Sequence, residues 1–72
     1  MDDKPNVYKM SENELRQYGA SKRLSELQLD ILVYRVLNHL KIWEICDYIH
    51  YSRSNIKYHI AQIKKKLGID NI

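Results

Sequence analysis

Between Ser52 and Gly68 the chain reads SRSNIKYHIAQIKKKLG, with five cations, Arg53, Lys57, Lys64, Lys65 and Lys66, and no carboxylate. Side chains of this kind act on anions. A lysine donates to a phosphate or to guanine O6 and N7, a glutamine pairs with adenine, and a tyrosine packs on a thymine methyl or donates to a phosphate. The aliphatic residues of the stretch, Ile56, Ile60, Ile63 and Leu67, are spaced so that a helix gathers them on one narrow arc. Ser54, Lys57, Tyr58, Ala61, Gln62 and Lys65 then fall on its sides and back. Lys57 and Gln62 are candidates for base edges, Tyr58 for a methyl or a phosphate, and small Ala61 for close approach. Ser52, Arg53 and Asn55 stand at the helix start, where free N–H groups and the dipole attract phosphate. Lys64 to Lys66 also suit the negative end of the same dipole. A membrane surface, a partner helix and a nucleic acid would each accept such an element.

Other chemistry finds little support. Cys46 and His50 are four apart, a spacing that can hold a metal, but no second pair stands nearby and Cys46 lies on an apolar stripe. It reads as a core cysteine, and no metal or cofactor is expected. His59 flanks the aliphatic row and reads as a packing or hydrogen-bonding residue. There is no Ser/His/Asp set, no carboxylate pair placed for acid–base work and no glycine-rich phosphate loop, so the chain is not expected to be an enzyme and no small-molecule ligand is evident.

Four helices are predicted to position these residues. Ser11 and Glu14 have capping-box spacing and open a short helix over 12–18, with Gly19 as its left-handed stop. Its apolar side is thin, offering Leu15 and Tyr18. A second box, Ser25 and Gln28, opens a helix over 25–37. That helix carries two apolar stripes, Leu27, Ile31 and Tyr34 on one and Leu29, Leu32 and Val36 on the other, as in a helix buried on two sides. Asn38 substitutes for glycine at its end. Ile42, Ile45, Cys46 and Ile49 mark a third helix ending near His50. Tyr51 and Ser52 make a turn, Ser52 caps the last helix, and Gly68 stops it. Residues 1–10, around Pro5, read as a flexible arm, and 11–72 as one domain. The expected fold is all-α, a small tri-helical helix-turn-helix core with an extra short N-terminal helix.

The bulk numbers agree with that reading. The 72 residues carry a net charge of +3, with a sequence pI near 9.1. The last helix holds +5 of it, so the remainder is 3 − 5 = −2. With 44% hydrophobic and 29% charged residues the composition is that of a globular chain. Two glycines and one proline leave few tight turns, which favours helices over a β-sandwich. The lone cysteine fits a reducing compartment. No apolar run approaches the ~18 residues of a membrane span. The acidic start, Asp2 and Asp3, has no leader pattern. A cytoplasmic protein without membrane contact is expected.

LSELQLDIL, EICDYI and YSRSNIKYHIAQIKKKLGIDN together resemble the LuxR/GerE-type helix-turn-helix, over about residues 24–71. The shared run is Ser52, Ile56, Lys57, His59, Ile63, Lys66, Leu67, Gly68 and Asn71. The sigma-factor region-four domain shares much of the pattern and stays open as the alternative. The chain departs from the family at Gln28, where glutamate is usual, at Leu27, at the glycine-free turn Asn38–His39, at Lys41 in a Ser/Thr cap position, and at Cys46 in place of alanine. The resemblance implies a winged-helix-like transcriptional regulator of bacterial or phage type that binds double-stranded DNA as a homodimer. It also implies that Lys57, Tyr58 and Ala61 meet bases. Family members continue into a fourth, dimer-forming helix, and Ile72 stands only four residues past Gly68. A dimer or partner contact is therefore expected from Leu15, Tyr18, Leu29, Val36 and Trp43. The competing expectation is a protein-interaction module of the same fold, binding RNA polymerase or another regulator through the N-terminal helix and Trp43.

Overall fold

The computed structural model describes residues 6–70 and 72, and among these every regular element is helical. A 3-10 turn over Val7–Lys9 precedes α1 (Glu12–Ser21), α2 (Glu26–Val36), α3 (Ile42–Ile49) and α4 (Arg53–Leu67). The start of each α-helix follows from its capping chemistry. Ser11, Ser25 and Ser52 each accept the backbone N–H three residues on, from Glu14, Gln28 and Asn55. In α1 and α2 the box closes reciprocally, with Glu14 and Gln28 accepting from the cap N–H. Lys41, at the start of α3, has no side-chain acceptor, so Glu44 Oε1 alone does this work, accepting from Lys41 N at 2.8 Å.

Each α-helix is followed within a few residues by one in the left-handed region: Arg23 after α1 (φ 66°), His39 after α2 (φ 55°), His50 after α3 (φ 59°) and Gly68 after α4 (φ 67°). Only the last is glycine. Two expectations are corrected here. Gly19 does not stop α1 but lies inside it, buried, and the stop falls at Arg23, where Leu24 N donates back to Gly19 O. The absent side chain of Gly19 is used for packing instead. A Cβ there would stand 2.5 Å from Leu29 Cδ2 and 3.0 Å from Leu24 Cδ1. At the end of α2 the left-handed residue is His39, not Asn38.

The core is one cluster fed by every element. Leu15 of α1, Ile31, Leu32 and Val36 of α2, Ile45 of α3, and Ile56 and Ile63 of α4 are its largest fully buried side chains. The stripe Ile56, Ile60, Ile63 and Leu67 is buried as its spacing predicts. Val7 and Ile72 are buried in the same cluster. Of the expected arm, residues 1–5 lie outside the described part, while the turn at Val7–Lys9 inserts Val7 into the core.

α2 is central and packs on α1, α3 and α4. Its second apolar stripe is covered by α1 within the same chain. The dimer or partner set is corrected accordingly: Leu15 is 0% exposed and Val36 2%, so neither is available to another molecule. Leu29 is half-buried against Gly19, and Tyr18 is half-buried with the Lys22 ammonium over its ring. Of that set only Trp43 stands largely free, at 51%. Arg16 of α1 bonds Glu12 on its own helix and Asp30 of α2, both at about 3 Å, which ties the two helices at the surface. Arg35 does the same for the far end of α2, donating to Leu40 O and Ile72 O at 2.7 and 2.8 Å.

Candidate nucleic-acid interface

α3 and α4 are joined by His50, Tyr51 and Ser52 and pack against each other, so the start of α4 is carried on a short, fixed connection. His50 turns left-handed, Tyr51 N returns to Cys46 O, and Ser52 caps α4. With about 100° per residue, the four aliphatic anchors of α4 cover an arc of about 60°. Ser54, Tyr58, Ala61 and Lys65 cover a similar arc on the opposite side, and all four are exposed. Lys57 is exposed beside them on the flank shared with Arg53 and Lys64; Asn55, Gln62 and Lys66 share the other flank with His59. Gln62 is half-buried. Every residue expected to touch nucleic acid, Ser52, Arg53, Ser54, Asn55, Lys57, Tyr58, Ala61, Gln62 and Lys65, thus lies on one side of α4 or at its start, away from the core.

α4 carries no carboxylate of its own, and Asp70 meets its lysines only at the last turn, beside Lys64 and Lys65. Glu12 and Glu14 sit in the first turn of α1, Glu26 in that of α2 and Glu44 in that of α3, but α4 has no acidic residue there. The positive end of its dipole and its leading N–H groups meet Arg53 and Lys57 instead of a carboxylate. Such an end attracts an anion. The nearest acidic residues along the chain are Asp47 before it and Asp70 after it. Tyr58 is 61% exposed, and its ring meets that of His59 edge-on at 5.4 Å.

His59 is anchored from behind. Gln28 Nε2 donates to His59 Nδ1 at 3.3 Å, while Gln28 Oε1 accepts from Ser25 N at 3.2 Å. The amide is therefore oriented from both ends. Gln28 is 6% exposed, the one buried polar residue among those described. The cap of α2 thus holds the flank of α4, and this role of His59 agrees with its expected packing function.

Two features escaped the sequence reading. Lys66 Nζ donates to Arg23 O at 3.1 Å, bringing the α1–α2 connection against the last turn of α4. A link across 43 positions leaves no periodic signal. On α3, Trp43 and Tyr48 are exposed, and with Asn38, Leu40, Glu44 and Asp47 they line an open groove of about 420 Å³. Tyr34 packs edge-on against Tyr48 at 5.1 Å, which steadies one wall. Cys46 is half-buried and His50 exposed, and no cluster of three or more His, Cys, Asp or Glu forms among the described residues. Among the same residues no helix is long and apolar enough to cross a membrane. No family model, curated protein or solved structure matches the chain.

Proposed function

We propose that this chain is a sequence-specific binder of double-stranded DNA, a small transcriptional regulator of the LuxR/GerE kind that acts in the cytoplasm at the nucleoid. The observation that carries the reading is the two-sidedness of α4. Its aliphatic face is fully engaged in the core, while its opposite face is exposed and flanked by cations, and the helix carries no carboxylate from its first turn to its last. A helix of that build fits the major groove, which is about 12 Å wide. α4 lies along the groove with Ser54, Lys57, Tyr58, Ala61 and Gln62 toward base edges, and Ser52, Arg53 and Asn55 toward phosphate. One such helix reads few base pairs, so two copies bind half-sites about 34 Å apart. The test is the affinity for mixed-sequence duplex DNA as salt is varied. A binder that neutralises several phosphates gives a steep, linear log–log decline. A flat profile at low affinity overturns the reading.

The groove on α3 favours a second reading, a protein contact with RNA polymerase or another regulator. Trp43 and Tyr48 are the aromatic types that anchor interfaces, and Glu44 and Asp47 beside them suit a partner segment with a basic residue. Trp43→Ala then leaves DNA affinity unchanged and abolishes the partner contact in a pull-down with purified RNA polymerase.

A further inference from the structure

We infer that the α1–α2 connection is a second DNA-backbone contact, in which Arg23, held beside Lys66, grips the strand opposite to the one met by Arg53. The inference rests on the DNA-binding reading of α4 and adds Lys22 and Arg23, which precede the stretch that resembles a known family. Lys66 Nζ donates one N–H to Arg23 O at 3.1 Å, and its other two donors remain for an anion. Arg23 is exposed, and its guanidinium has no hydrogen-bond or ion-pair partner among the described residues. Lys22, also exposed, lies over the Tyr18 ring at 5.8 Å and adds charge to the same turn. The nearest acidic residue along the chain is Glu26, which leaves the group of Lys22, Arg23 and Lys66 with an excess of positive charge.

The backbone supports a role for the side chain. Arg23 has φ 66° at the stop of α1, a conformation that glycine adopts without the clash of a Cβ. An arginine at that position is worse for the turn than glycine, and it brings a cation to the surface that glycine would not.

The geometry assigns the two cationic groups to different strands. Around α4, Lys66 lies on one flank of the outer face, and Arg53 and Lys57 on the other. With the outer face toward the groove floor, the flanks face its two walls. Lys64 and Lys65 are left out of this pairing because Asp70 lines the same depression at the end of α4.

Arg23→Gly separates charge from folding, because glycine relieves the backbone while removing the guanidinium. The full chain, Arg23→Gly, Arg53→Ala and the double variant are titrated against a short duplex of mixed sequence over a salt series. The expected results are an unchanged or raised melting temperature for Arg23→Gly, a salt slope shallower than wild type by about 1, and a double variant shallower by about 2. The loss is the same on operator and random DNA, since a phosphate contact carries no sequence information. An Arg23→Gly slope equal to that of a steep wild type overturns this inference and leaves α4 as the DNA element. A flat wild-type slope overturns the DNA reading itself.

Discussion

Lys57 is the residue on which base recognition by α4 turns. It is exposed, next to the outer arc and one turn from the helix start, where a side chain reaches guanine O6 and N7. Lys57→Ala is expected to weaken operator binding by about 1–3 kcal/mol, the usual value of a good bidentate contact. A gel-shift titration at fixed salt measures it, and unchanged affinity removes Lys57 from the interface. A different residue contributes to the pH dependence of stability. Glu14 is held below its ordinary value of 4.5 by hydrogen bonds from the Ser11 backbone and then the Ser11 side chain. The unfolded chain therefore binds more protons than the folded one in the acid range. The contribution of this carboxylate is full above the unfolded value and is lost as pH falls through the lowered one. Glu14→Gln keeps an N3 acceptor but does not titrate, so its melting temperature should decline less between pH 6 and pH 3 than that of wild type, by roughly the contribution of one exposed group. Parallel declines would show that Glu14 plays no part in acid lability.

At the scale of the element, the first turn of α4 can be tested apart from its stability. Ser52→Asp preserves an N-cap acceptor and places a negative charge at the positive end of the dipole. Thermal stability should stay level or rise, while DNA affinity falls, because the new carboxylate occupies the site proposed for phosphate. Equal DNA affinity in the two proteins would place the start of α4 away from the backbone. The α2 helix illustrates the limit of pattern reading. Its two apolar stripes were legible in the spacing of Leu27, Ile31 and Tyr34 and of Leu29, Leu32 and Val36, but nothing local says what covers the second one. A second molecule and a neighbouring helix bury the same surface by the same hydrophobic effect. The structure assigns it to α1, and the contact is close because Gly19 lets Leu29 and Leu24 approach.

At the scale of the whole molecule, α1 is part of the fold. Leu15→Ala should cost about 2–5 kcal/mol, as for other buried leucines. Its melting temperature should not vary with protein concentration, which separates an internal contact from a dimer contact. Removing residues 1–20 takes Val7 and Leu15 from the cluster, with Met10 and Tyr18 packed against it, and should abolish cooperative melting, since a chain of this size has a marginal core. A cooperative transition in the truncated protein would show that α2, α3 and α4 suffice. What the sequence determined by itself was local. The caps at Ser11, Ser25 and Ser52, the stop at Gly68 and the buried row Ile56, Ile60, Ile63 and Leu67 all depend on neighbours within a turn or two of helix, so spacing alone reveals them. Tertiary structure decided the rest. Gly19 became a packing position and Arg23 the helix stop, because the close approach of α2 takes up the space a side chain would need. Gln28 met His59, Lys66 met Arg23 and Arg35 met Ile72 across 31, 43 and 37 positions. Contacts of that kind depend on where whole helices come to rest, which is set by the shared core and not by the residues on either side of each partner.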